Sequence, residues 1–347
     1  MKIIMILLKD LKKITLITLG YILISSNTYA LEETPAFTFG ATVPNIKTVN
    51  GLGTAIDFNT FVFVGHGEDH SQKIDFLTPT ISTKFLTGNG GFELTFLKGA
   101  SDNESIILDG SLVANASFMD IIPVDGTISP GAFRRTVESS VLSLNQSIEK
   151  ANIVYFTELN SIPENLNFLA QFNPEIGIMI NRTSYEISVD DSVNESQYHL
   201  DEKVTSKSIG PVLSLYKEKN LNDVNTKLIL GSKFALLATN EILQANQSGV
   251  LENTNAVQNY SANDKSNHLS GMFKLTAGIT KKTEQGSSFY ILGAVDIAND
   301  VSSIKNPRCV AGQDCNTAAY AASQRSAHLV RQTAISPSLT IGFKKKF

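Results

Sequence analysis

Two imidazoles and two carboxylates fall within six residues in GHGEDH (Gly65–His70), the side-chain types a bound metal would draw together. Their spacing matches no zinc motif, and Gly, Asp and His are ordinary turn residues, so no metal is expected there. A hydrolase would need a serine and a histidine facing each other from adjoining strands. The five histidines, His66, His70, His199, His268 and His328, all fall at expected strand ends or in loops, with no Gly-x-Ser-x-Gly nucleophile turn to serve. The sequence therefore reads as a non-enzyme with no cofactor. Cys309 and Cys315 bracket CVAGQDC, and in an exported chain so close a pair is most simply a disulfide pinning a small loop.

The polar side chains with a recurring spacing are those that alternate with apolar ones. In Asn165–Asn181, Leu166, Phe168, Phe172, Ile176, Ile178 and Ile180 share one parity, while Asn165, Asn167, Gln171, Asn173 and Glu175 share the other. In Asn225–Leu237, Leu228, Leu230, Phe234 and Leu236 oppose Lys227 and Lys233. His268–Thr280 and Ser288–Ala298 repeat the pattern with Lys274, Tyr290 and Asp296 on the polar side. This is the period of a strand with oil on one face and water on the other. The residues expected to line a pore are Asp109, Asn167, Gln171, Asn173, Glu175, Lys227, Lys233, Lys274, Tyr290, Asp296, Lys344 and Lys346. Charges of both signs imply a weakly selective aqueous path, or, if they pair with one another, a plug.

Counting such segments gives about twelve strands, near 35–43, 54–64, 72–86, 90–98, 105–118, 136–159, 165–189, 204–218, 224–239, 266–282, 286–300 and 327–347, with ten or fourteen also admissible. The connections at 44–53, 87–89, 119–135, 190–203, 240–265 and 301–326 then fall on one rim. The shorter ones at 65–71, 99–104, 160–164, 219–223 and 283–285 fall on the other. Long loops on one rim and short turns on the other are the habit of transmembrane β-barrels, whose closure removes every unpaired edge. The expected fold is all-β, a transmembrane antiparallel barrel. A soluble β-sandwich also alternates, but its strands are typically shorter than several of these.

Residues 1–30 differ in character from the rest: four lysines, the apolar run Ile14–Ile24 and a small-residue end at Ala30 read as a signal peptide. The apolar run is shorter than the ~20 residues a spanning helix needs. Removing it takes away four lysines and one aspartate, leaving 25 basic and 32 acidic side chains, net −7. That balance disfavours a nucleic-acid partner. Residues 31–347 would then form one barrel in the outer membrane, with its lipid, the barrel assembly machinery and small hydrophilic solutes as partners. Whether copies associate into a homo-oligomer is left open. The expected function is a pore for passive diffusion. The alternative is a non-conducting barrel, adhesive or structural, whose loops at 119–135, 190–203, 240–265 and 301–326 bind a partner.

Ser208–Asn240, Leu166–Ile187, Leu269–Asp300 and the closing strand together resemble the family of pore-forming outer-membrane proteins typified by the Legionella major outer membrane protein. The resemblance implies an outer-membrane barrel with pore activity and a surface-exposed face. It covers mainly the C-terminal half, and that family is richer in aromatics, Trp included, whereas this chain has no Trp. In SLTIGFKKKF, Leu339, Ile341, Phe343 and Phe347 share a parity, and a final aromatic at that position resembles the signal read during outer-membrane assembly.

Overall fold

The computed structural model describes residues 36–49, 54–56, 63–66, 71–87, 90–108, 118–120, 123–127, 134–136, 140–159, 171–191, 198–221, 225–250, 256–283, 287–307 and 326–344. The signal segment, Asp109, Asn167, Lys346, Phe347 and the Cys309–Cys315 loop lie outside the described residues. The strands are β1 (Ala36–Thr42), β2 (Ile46–Val49), β3 (Thr54–Ile56), β4 (Phe63–His66), β5 (Ser71–Ile74), β6 (Thr78–Thr87), β7 (Gly90–Leu108) and β8 (Phe118–Asp120). They continue with β9 (Arg134–Thr136), β10 (Ser140–Glu158), β11 (Asn173–Asp191), β12 (Tyr198–Asn220), β13 (Thr226–Val250), β14 (Val257–Lys282), β15 (Ser288–Lys305) and β16 (His328–Lys344).

Ten of these close on themselves. β1, β6, β7 and β10 through β16 pair antiparallel in that order, and β16 returns to β1 through Phe39↔Ile341 and its neighbours. The ring is completed by β12–β13, β13–β14, β14–β15 and β15–β16. Every backbone group along the seam thus finds a partner within the sheet, which is what lets strands sit in lipid. β1 begins and β16 ends on the same rim.

Ten, one of the counts the sequence admits, replaces twelve for two local reasons. The segment at 54–64 gives no barrel strand: β3 and β4 belong to a separate four-stranded sheet with β8 and β9. The stretch at 99–104, expected as a turn, lies inside β7, which pairs with β10 from Gly90 to Leu108. Its turn-like composition marks instead a bulge, where one extra residue of β7 falls between the pairs Leu144↔Glu104 and Gln146↔Ser101. Gly99 serves close approach here, since a Cβ on it would stand 2.7 Å from Thr78 Cγ2 and 3.1 Å from Phe76 Cε2.

The rims shift accordingly. The connection at 88–89 lies on the short-turn rim, and 65–71 belongs to the long crossing between β1 and β6 on the other. Most of 240–265 is strand, since β13 runs to Val250 and β14 starts at Val257.

Outward-facing residues are apolar over a continuous belt. Phe39, Ile341, Ile291 and Ile279 stand in register across four strands, 61%, 55%, 57% and 48% exposed. Every barrel strand except β12 carries such exposed large hydrophobics. On β14 the belt runs from Leu269 to Ile279 and on β16 from Ile335 to Phe343, close to the ~9–11 residues a tilted strand needs to cross a bilayer. Below it, at the rim where β1 begins, Phe37, Phe343 and Phe289 stand side by side, with the Phe289 and Phe343 rings 4.8 Å apart. Phe92 and Tyr155 do the same at 5.1 Å. Phe and Tyr therefore supply the interfacial girdle in a chain without Trp.

The lumen away from this rim is packed like a core. Leu142, Leu144 and Ile148 of β10, Ile187 and Val189 of β11, Leu200 of β12 and Leu243 of β13 meet Ile46, Ile74, Val124 and Ala327 from in-folded connecting segments. These segments are latched by polar bonds: Gln247 accepts from the Val124 amide at 2.8 Å, and Asn306 donates to Glu202 at 2.6 Å. The Ala327 amide donates to the Val124 carbonyl at 2.6 Å.

Candidate functional site: a bridged lumen and its chamber

The inward parity of each strand is set by the pleat, and in the half nearer the short-turn rim it carries charge. Lys233 of β13 donates to Glu93 of β7 at 2.8 Å, spanning the lumen between strands four places apart in the ring of ten. Lys84 of β6 donates to Glu175 of β11 at 3.0 Å and lies 4.1 Å from the Phe156 ring centroid. Lys274 reaches Asp296 at 3.4 Å on the neighbouring strand. Glu218 and Lys227 pair near the rim. Beside these bridges Val154, Met179, Val212, Ala235 and Leu237 form a small apolar cluster, also inward-facing.

Of the expected pore residues, Glu175, Lys227, Lys233, Lys274, Tyr290 and Asp296 point into the lumen. Tyr290 lies over Gly342 of β16, where a Cβ would overlap its ring. Gln171 precedes β11 and Asn173 opens it, both exposed at the rim rather than inside. Lys344 ends β16 on the inward parity of Gly342, its side chain outside the described residues. Leu339, Ile341 and Phe343 face outward.

Sequence reasoning passed over Lys84, Glu93 and Lys150. A charge at Lys84, or the run IEKAN at Ile148–Asn152, breaks an apolar–polar alternation when read from the sequence alone. In the structure both strands run through, with Glu149 outward and Lys150 inward, so the interrupting charge was itself the signal.

Between the bridges and the apolar packing lies a chamber of about 250 Å³. Its walls include Lys150, Asn152, Asn181, Lys233, Lys274 and Asp296. At its side β15 bulges between Ala298 and Val301, and Asp300 takes a left-handed backbone (φ 54°). His268 Nε2 donates to the Asp300 carbonyl at 2.8 Å, and Ser302 donates to the buried Glu241 carboxylate. His268 Nδ1 also meets Ser266 Oγ at 3.4 Å, so the group ties β13 and β14 to the β15 bulge. Tyr185 donates to the Ser302 carbonyl at 2.9 Å, tying β11 to the bulge across the lumen.

Beyond the apolar belt, on the outer extension of β12, His199 lies between Asp190 at 2.6 Å and Asp201 at 2.7 Å. Burial works against its charge, but the hydrogen bonds to the two carboxylates prevail and hold its pKa above the ordinary histidine value.

Fold and lumen together define a class: a closed ten-stranded antiparallel barrel, oily outside, with charge bridges and a small polar chamber inside. No family model matches the chain, and no curated protein does. Among solved structures it is similar to the Pseudomonas putida toluene transporter TodX, at 8% identity over 92% of this chain and 91% of that one, with a TM-score of 0.23. A Pseudomonas aeruginosa FadL homologue shares 9% identity over 90% and 89%, with a TM-score of 0.23. The Ralstonia pickettii toluene transporter TbuX shares 10% over 91% and 90%, with a TM-score of 0.18. At such TM-scores the likeness adds nothing to the strand pairing, on which the fold rests.

Proposed function

We propose that the chain sits in the outer membrane as a barrel that takes small hydrophilic solutes into its chamber and passes them when the bridges across its lumen part. The belt of exposed aliphatic and aromatic side chains, far larger than a soluble surface tolerates, supports the membrane reading. The observation that carries the transport reading is the polar chamber itself, with the Lys233–Glu93 bridge in its wall on one side and apolar packing on the other. A ten-stranded barrel lies near the size at which side chains fill the interior, so the resting state admits no continuous column of hydrated ions.

Planar-bilayer recording of refolded protein tests it. Wild type is expected to give rare, small conductance steps, and the Glu93→Leu/Lys233→Met double variant larger and more frequent ones. Steady ohmic conductance from wild type would mean an open pore with no gate. The filled outer half of the lumen favours a second reading, a non-conducting barrel whose loops bind a partner. Silence from both proteins, with sugar uptake by proteoliposomes no faster than by empty vesicles, would establish that reading instead.

A further inference from the structure

Three lysines face the chamber, and two of them are engaged: Lys233 by Glu93 and Lys274 by Asp296. Lys150 differs, since it makes no hydrogen bond and no ion pair among the described residues. The carboxylate that acts on it electrostatically, Asp296, is already in contact with Lys274. Of the two remaining acids of the chamber wall, Glu241 accepts from Ser302 and has His268 Nδ1 at 3.7 Å, and Asp300 sits in the β15 bulge; neither pairs with Lys150. A partly buried ammonium is thus left aimed into a cavity without a counter-charge of its own.

Two residues along β10 a second shortage appears. Asn152 stands directly opposite Asn181 of β11, and the Oδ1 atoms of both are buried without a hydrogen-bond partner. Buried acceptors left unmet carry the full cost of their lost hydration. Hydroxyls flank them in register: Thr95 opposite Asn152, Ser208 opposite Asn181, and Thr239 opposite Ser208, all in the chamber wall. A ligand that satisfied both shortages would bring one anionic group for Lys150 and hydroxyl donors for the two amide oxygens. A simple anion lacks the donors, and a neutral polyol lacks the charge. At roughly 30 Å³ per water, the chamber has the volume of about eight waters, enough for a six-carbon sugar acid.

We infer that the chamber binds a small polyhydroxy carboxylate, its carboxylate on Lys150 and its hydroxyls donating to Asn152 and Asn181, an assignment that rests on reading the chamber as part of a solute route. Isothermal titration of the folded barrel in detergent micelles with gluconate tests it, with sorbitol and acetate titrated in parallel. Gluconate is expected to bind at least about tenfold more tightly than either, as loss of a charge-assisted hydrogen bond implies. Lys150→Met is expected to weaken gluconate binding at least about tenfold and to leave sorbitol unchanged. Folding is checked by heat-modifiable migration in detergent gels. Should Lys150→Met not fold, Lys150→Gln replaces it, and if neither folds the three-ligand comparison on wild type decides. No heat with gluconate, equal affinity for all three ligands, or a folded Lys150 variant that binds as wild type would each overturn the assignment. Uptake of neutral sugars by proteoliposomes tests the route separately, so a route that works without gluconate binding sinks this inference only.

Discussion

Replacing Lys233 by methionine leaves the Glu93 carboxylate inside the barrel without the ammonium that meets it at 2.8 Å. Breaking a fully buried pair costs about 3–5 kcal/mol. Here the side chains are 16% and 31% exposed, and Lys84 and Lys274 still act on Glu93, so about 2.5 kcal/mol is expected. Glu93→Leu is expected to cost a similar amount, because it strands Lys233. The double variant removes both charges and replaces them with apolar side chains, so it is expected to be no worse than either single one. The coupling energy is then about 2.5 kcal/mol, in the range for residues in direct contact. Urea unfolding from lipid vesicles, followed by circular dichroism because the chain has no Trp, measures all four proteins. If the two single losses add to within about 0.5 kcal/mol in the double variant, the cross-lumen bridge does not exist as described.

Other outcomes follow from features away from that bridge. Gly342→Val drives a side chain into the Tyr290 ring and should lower stability by about 1–3 kcal/mol, with Tyr290→Ser in the same chain restoring part of it on thermal gel-shift curves. Phe234→Arg, on the outward belt, should cost about 2–4 kcal/mol by vesicle unfolding, whereas Asn240→Arg beyond the belt should cost little. His199 has a raised folded-state pKa, so its contribution is complete below the unfolded value near 6.5 and is lost as pH rises through the folded value. Amide exchange at the outer ends of β12 and β11 should therefore speed up as pH passes upward through that range beyond the intrinsic increase, and His199→Asn should abolish the excess. Asp300→Gly should be neutral or stabilising and Asp300→Val destabilising by about 1–2 kcal/mol, since only the second meets the left-handed backbone with a branched Cβ.

Parity carried most of what the sequence could say about the lumen. Lys233, Lys274, Tyr290 and Asp296 alternate with large apolar residues, and alternation fixes a side of the sheet whatever the register. What alternation cannot carry is contact across the lumen. Nothing local in the strand around Glu93 indicates that its partner lies 140 residues away on β13. Nor does Gly99 announce itself as a place where Thr78 and Phe76 draw near, because a glycine amid Ser, Asp and Asn looks like a turn from the sequence alone. The filling of the outer lumen was invisible for the same reason: Ile46 and Val124 sit in stretches whose composition is that of loops, and Ile74 in one that reads as the start of a barrel strand. Their burial depends on strands more than a dozen residues distant.

The bond from the Ala327 amide to the Val124 carbonyl joins the connection that leaves β7 to the one that enters β16. Each of those connections also holds the interior, through Val124 on Gln247 and through Ala327 packed among the buried side chains. The strap makes the outer loops and the contents of the barrel a single mechanical lever. A pull on either connection would therefore be felt by the packing inside the barrel, and a displacement of that packing by both connections.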